Sequence, residues 1–551
     1  MKNIRLLFIC LFLPSIFWRC DQLGYSEASD YTQDYIFNDA YLNGTVLVDI
    51  YSYLPADFNS IDGATRSCAS DDAEYVWDLS SVQKFNDGSW SAIQPLDDQW
   101  GHLYSGIRAA NLFIDEMKKG RNFNDLKYND EYAQLMKRIS YYPYEARFLR
   151  AFFYFELIKR YGDVPLVTTI LTEQEANKVT RTPFNTVVDF IVKECDSVSI
   201  KLPINFSTVP GTETGRATKG AALALKSRTL LYAASPLNNP SGTQEKWIKA
   251  ATASKAIMDA NSYSLGSYES IVNNLSSPEL IFETRQGATN TFEIANFPIG
   301  FEGGKTGTCP TQNLVNAYEV KSTGKGILES GSGFNPSDPY TNRDPRLLST
   351  VLCNGSVFKN TSVEIWNGGL NAPPKLNATK TGYYLKKYVI ESVSLDPTNP
   401  STKVHVWVLF RLGEVLLNYA EAMNEAYGPS QTGPAPLLMT ATDAVNLIRA
   451  RAGMPPFPGG MTKEDFRIKL MNERRVELAF EDHRFWDIRR WKTGNSTTAI
   501  YGVDIQKSGT GTLSYKSKLV ENRVWNDRMN LYPIPQTELY INNSLTQNSG
   551  W

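Results

Sequence analysis

Histidine is nearly missing from this chain, with three in 551 residues. His102, His405 and His483 stand far apart in sequence, which argues against a histidine-based metal centre. Cysteine is almost as sparse. Cys68, Cys195, Cys309 and Cys353 show no metal-type spacing, and although an exported protein could join them as disulfides, their spacing pairs none of them. Charge of one sign is lacking as well, since the formal net charge is -2, and residues 21–551 carry 53 basic against 58 acidic side chains. Nothing in that balance draws the protein to nucleic acid or to an anionic membrane surface. The sequence also holds no G-x-S-x-G elbow, H-E-x-x-H, phosphate-binding G-x-x-x-x-G-K-[ST] or G-x-G-x-x-G, so neither those chemistries nor a cofactor is implied. A glycoside hydrolase stays open, because it needs only two carboxylates about 5 to 9.5 Å apart.

The front of the chain has the parts of an export signal. Lys2 and Arg5 precede an apolar run from Leu6 to Trp18, shorter than the about 20 residues that span a bilayer. Cys20 follows where a lipoprotein is cleaved and acylated, and residues 21–39 are polar and acidic like a tether. Arg19 departs from the small residue that normally precedes such a cysteine. Cys10 fits less well, with too few apolar residues before it. Several acyl chains on Cys20 would anchor stably.

Residues 473–491 interleave charge with bulky rings. Phe485, Ile488 and Trp491 recur every three residues as one apolar stripe, so Arg474, Arg475, Glu477, Glu481, Arg484 and Asp487 must lie beside buried surface and need partners. His483 in this run reads as a hydrogen-bonded side chain at a helix junction. Four regions read as helical hairpins. Residues 144–161 are apolar on two sides, a sandwiched helix ended by Gly162 and Pro165. Residues 216–234 are rich in Gly220, Ala221, Ala222, Ala224, Ala233 and Ala234, and residues 247–260 supply a return helix. A third pair runs over 408–426 and 441–452, and a fourth begins at Thr462, whose hydroxyl and Asp465 suit a helix N-terminus. Glu414, Glu421 and Glu425 share one face of the third region and read as solvated or paired with a residue such as Arg411. The expected fold is mainly α, a tetratricopeptide-like scaffold of four helix pairs with a loop-rich subdomain carrying short strands. The expected parts are a signal at 1–20, an N-terminal part at 21–263 and a C-terminal part at 264–551, with a Gly, Asn and Pro-rich insertion at 264–403.

Aromatics make up 12% of the chain, generous enough that some rings are expected to face a ligand. A sugar chain asks for flat rings against its C–H patches and polar side chains at the rim for its hydroxyls. The loop at 54–90 has that mixture in Arg66, Asp71, Asp72, Trp77 and Trp90. Trp366 stands in the glycine-rich insertion. Each tryptophan carries two readings, packing or ligand contact, whereas Trp100, beside Leu103 and Ile107, reads as core.

The chain resembles the SusD/RagB family of outer-membrane nutrient-capture lipoproteins. The resemblance rests on residues 100–111, 146–165, 309–318, 343–347, 411–422, 448–454 and 473–491, and on the carboxyl end at 531–538 and 545–551, in that order. It implies a non-catalytic protein, lipid-anchored at Cys20 on the outer leaflet of the outer membrane. It also implies a SusC-like TonB-dependent transporter as partner, to which oligosaccharide is handed over. By position, it places Arg66, Asp71, Asp72, Trp77 and Trp90 in a first ligand-bearing loop and Trp366 in a second, with Asn43 and Tyr340 near the ends of those elements. Some relatives are thought to take peptides, which the same rim would serve.

Overall fold

The computed structural model describes residues 31–551, except 56–57, 59, 207–214 and 275; Cys20 and the signal lie outside them. The architecture is a stack of helices. Trp100–Lys118, Tyr142–Tyr161, Phe184–Ser199, Lys219–Ala234, Gln244–Asp259 and Leu412–Tyr427 each pack on the next, and both Ala441–Arg451 and Lys463–Glu477 then lie on Leu412–Tyr427. Tyr142–Tyr161 sits between two neighbours, and its stripes Leu149, Phe153, Leu157 and Phe148, Phe152, Phe155 are all buried. The helix stops at Gly162, whose φ of 72° suits glycine best. In Lys219–Ala234 the small residues let a neighbour approach so closely that a Cβ on Gly220 would collide with Tyr263.

The stack is interrupted between Asp259 and Leu412, where the chain leaves to form the insertion and returns. The exit and return are clamped by an antiparallel pair, Leu280–Thr289 against Lys403–Arg411, with Val406 opposite Arg285 and Trp407 opposite Thr284. Here the structure corrects the sequence reading, which starts a helix at Val408. Residues 404–410 are dense in β-branched and aromatic side chains that suit a pleated surface, and Arg411 is still extended at φ -145° before the helix begins at Leu412. The other sheets are also two-stranded, among them Ala73–Tyr75 with Thr308–Pro310 and Ala499–Lys507 with Leu513–Asn522.

Residues 473–491 are not one helix. Lys463–Glu477 ends, Phe480 and Asp482 turn the chain at φ 62°, and Arg484–Trp491 starts a second helix with His483 at its N-cap. Arg474, Arg475, Glu477, Glu481, Arg484 and Asp487 of this corner each find a partner of opposite charge. Arg411 meets Glu279 at 2.6 Å, Glu477 at 2.8 Å and Glu481 at 2.6 Å. Arg346 holds Asp344, Glu473 and Glu477 at 2.7 to 2.8 Å, and Arg449 joins Glu473 at 2.7 Å to Glu319 at 2.8 Å. The three helix-face acids are paired too, but not with Arg411: Glu414 goes to Arg228, Glu421 to Arg490 and Glu425 to Arg467. Burial, reinforced by the nearby cations Arg228 and Arg474, pushes the His483 imidazole well below its usual range, so it stays neutral. Cys68, Cys195, Cys309 and Cys353 are buried free thiols.

Candidate functional site

Five of the eight candidate ligand residues turn out to be interior. Arg66 is 2% exposed and pairs with Asp482 at 2.7 Å and Asp97 at 2.9 Å, its guanidinium lying 5.3 Å from the Trp486 ring centroid. Asp71 is held by Arg484 at 2.8 Å and Arg475 at 3.0 Å, and Asp72 by Arg475 at 2.6 Å. Burial alone would raise the Asp71 carboxyl, but Arg475 and Arg484 outweigh it and hold the group down at about 2. Trp90, 1% exposed, packs against Phe85, Tyr532 and Trp551 with ring centroids 4.8, 5.2 and 4.5 Å away. Asn43 is fully buried, its amide donating to Phe37 O at 3.3 Å. These five are corrected from rim to scaffold. The loop's mixture of charges and rings serves the unpaired charges of 473–491, which need partners as much as a ligand's hydroxyls do.

The other three remain accessible. Trp77 is 38% exposed at the end of Ala73–Tyr75, followed by the fully exposed Leu79. Its setting is fixed by Val76 N–H donating to Gly307 O at 3.0 Å and by Lys380 Nζ, which donates to Tyr75 O at 2.9 Å and pairs with Asp78. Trp366 is half-buried, with Lys507 Nζ 4.4 Å from its ring centroid. The next residue, Asn367, donates from its backbone to Ile505 O at 2.9 Å and from its side chain to Asp504 at 2.8 Å. Tyr340 is half-buried against Tyr383 and Tyr515, its hydroxyl donating to that of Tyr383 at 3.4 Å. One run of backbone contacts joins the surroundings of the two indoles. Thr381, next to Lys380, accepts from Val503 N–H at 2.8 Å, on the same strand whose Ile505 holds Asn367.

The result is a block of loops offering two solvent-reached indoles, each flanked by hydrogen-bonding side chains: Asp78 and Lys380 at one, Asn367, Asp504 and Lys507 at the other. Exposed Leu370 and Leu376 belong to the same segment. Sequence reasoning missed Lys380, Asn367, Asp504 and Lys507. Only pairing across some 300 residues brings Lys380 beside Trp77, and no local pattern signals that. Among the described residues no group of three or more His, Cys, Asp or Glu could hold a metal ion. Nor is any helix there long and apolar enough to cross a membrane.

Comparison with known proteins agrees with this architecture. Residues 278–551 match the family described as SusD family, and residues 42–231 match one described as starch-binding associating with outer membrane. The chain is 23% identical over 475 residues to SusD-like protein P25 of Formosa agariphila, covering 81% of this chain and 77% of that protein. It is 24% identical to SusD-like protein P2 of the same organism, covering 82% and 79%. Among solved structures, a SusD-like protein from Bacteroides fragilis superposes with a TM-score of 0.79 at 28% identity, covering 94% of this chain and 99% of that one. A SusD-like carbohydrate-binding protein from the same species gives 0.74 at 26% identity, covering 93% and 100%. With helix stack, interrupting insertion and both family matches in agreement, the chain belongs to the SusD/RagB family.

Proposed function

We propose that this protein is a cell-surface glycan-binding lipoprotein. It captures oligosaccharides through Trp77 and Trp366, with Tyr340 beside them, and delivers them to a SusC-like TonB-dependent transporter in the outer membrane. Cys20 is its lipid anchor. The observation that carries the reading is that exposed Trp77 and half-buried Trp366 stand on loops tied together by backbone hydrogen bonds, each beside polar side chains that reach solvent. Rings in that position offer flat apolar faces, and Asp78, Lys380, Asn367 and Asp504 supply donors and acceptors for hydroxyls. The family to which the chain belongs is described in terms of starch binding and outer-membrane association, and a structural relative as carbohydrate-binding. Binding of this kind requires no bond cleavage, and the protein acts without catalysis.

Isothermal titration of the mature chain against starch, xylan, arabinogalactan and pectin oligosaccharides tests the reading. At least one probe should bind, and Trp77→Ala and Trp366→Ala should each weaken it about tenfold, the scale of a lost stacking contact. Unchanged binding in both variants would remove the proposed site. Reducing ends released by the wild-type protein would replace capture with hydrolysis. Labelling with a radioactive fatty acid, absent from Cys20→Ala, checks the anchor.

A further inference from the structure

A concavity lies outside the loop block, within the helix stack. It measures about 450 Å³ and opens between the end of Lys219–Ala234, the start of Gln244–Asp259 and the helices Leu412–Tyr427 and Lys463–Glu477. That volume is in the range of ~300–1,000 Å³ typical of small-molecule sites. One wall is the half-buried Trp491, whose Nε1 donates to Glu421 at 2.8 Å and whose ring centroid lies 4.5 Å from the Arg490 guanidinium. The ring is thus locked before any ligand arrives, which lowers the entropy lost on binding. Trp247 and Met471 line the groove as well.

Polar groups complete it. Arg467 grips Glu425 through two hydrogen bonds at 2.6 and 2.7 Å, yet the arginine side chain keeps 37% of its surface exposed. Lys492 stands at the rim, exposed, with no ion pair among the described residues. The charge state of this lining selects the ligand. Glu421 and Glu425 are already neutralised by Arg490 and Arg467, so a cationic ligand would have to break an existing ion pair, the Glu421 one buried, to gain an anion. Neutral hydroxyls can exchange hydrogen bonds with Arg467, Glu425 and Lys492 and leave each pair intact, while a sugar ring lies on the indole.

We propose that this groove is a second saccharide-binding site, formed by Trp491, Arg467, Glu425 and Lys492 and independent of the loops that carry Trp77 and Trp366. A protein with both sites would hold one long polysaccharide at two points, or two chains at once.

The test is titration of the mature chain with maltohexaose, xylohexaose, and arabinogalactan and pectin oligosaccharides in two backgrounds, wild type and the Trp77→Ala/Trp366→Ala double variant. Each is combined with Arg467→Ala plus Lys492→Gly. Lys492 sits at φ 59°, where glycine is more at ease, so that substitution should not lower the melting temperature. The double loop variant should retain weaker binding, and adding the groove substitutions should reduce it by about tenfold more, the scale of lost charged hydrogen bonds. Hydrogen exchange under saturating ligand should slow in residues 484–491. Should Arg467→Ala unfold the chain, Arg467→Gln takes its place. Identical isotherms with and without the groove substitutions would overturn the groove and leave the loop site standing. If no probe binds the wild type, both sites fall.

Discussion

Two regions of this molecule have nearly the same composition and opposite roles. The segment at 64–75 and the corner at 473–491 mix cations, acids and rings, and so does the loop block around Trp77 and Trp366. In the first, Arg66, Asp71 and Asp72 are interior and ion-paired to other parts of the same chain. In the second, the indoles reach solvent, and their neighbours keep hydrogen-bonding capacity facing outward. Residue type therefore does not separate a rim from a scaffold. What separates them is whether the chain supplies the partner itself.

This contrast can be broken by substitution. The largest effect is expected from Arg411→Met, which leaves Glu279, Glu477 and Glu481 buried without their shared cation and should cost about 3–5 kcal/mol in denaturant-induced unfolding. Trp90→Ala should come close to that, about 3–5 kcal/mol from the cavity left beside Tyr532 and Trp551. Its binding should survive in whatever fraction stays folded. Trp77→Ala should do the reverse, with stability changed by under about 0.5 kcal/mol and binding weakened about tenfold. If Trp90→Ala abolished binding in a fully folded protein, the division between the two regions would collapse.

Acid should find the buried scaffold, through Asp71 in the first region and Glu156 on the helix Tyr142–Tyr161. The Asp71 and Glu156 carboxyls are held at about 2, below their ordinary range, because nearby Arg and Lys side chains outweigh the effect of burial. Their stabilisation is complete above the unfolded-state values near pH 4 and is lost as pH falls from there toward 2, about 2 kcal/mol or more apiece. Unfolding free energy should therefore begin to fall as pH drops through the unfolded histidine value near about 6.5, because His483 stays neutral in the fold, and should drop more steeply below about pH 4. A profile level down to about pH 5 would show that the His483 imidazole is not held neutral in the fold. The smallest effect belongs to Lys507→Gln, which removes a cation from the Trp366 ring. It should change affinity about twofold and stability by less than about 0.5 kcal/mol.

The helix stack was legible in the sequence because it is written locally. A helix at 144–161 is found as Tyr142–Tyr161, one at 441–452 as Ala441–Arg451, and Thr462 accepts from Asp465 N–H at the start of Lys463–Glu477. Apolar spacing, small-residue runs and capping side chains all act within a few turns. The strand Lys403–Arg411 was missed because its partner lies at Leu280–Thr289, across the whole insertion. The site was half legible for the same reason. Trp77 and Trp366 were picked as rings in polar loops, and they stayed accessible. Arg66, Asp71, Asp72 and Trp90 were picked on the same signal, but their partners stand some 400 residues downstream. No window of sequence reports such a meeting.

The staples between the two halves of the chain also govern the order of its assembly. Arg66, Asp71 and Asp72 close on Asp482, Arg484 and Arg475, and Trp90 closes on Trp551. While the first half emerges from a ribosome, Asp71 and Asp72 lack their arginines, and Arg66 and Trp90 have only their nearby partners Asp97 and Phe85. A fragment ending before residue 264 would keep them so, and should be recovered as an aggregating, protease-sensitive species. A chain made amino end first therefore has to keep its opening segment from aggregating until nearly all of the remainder has arrived.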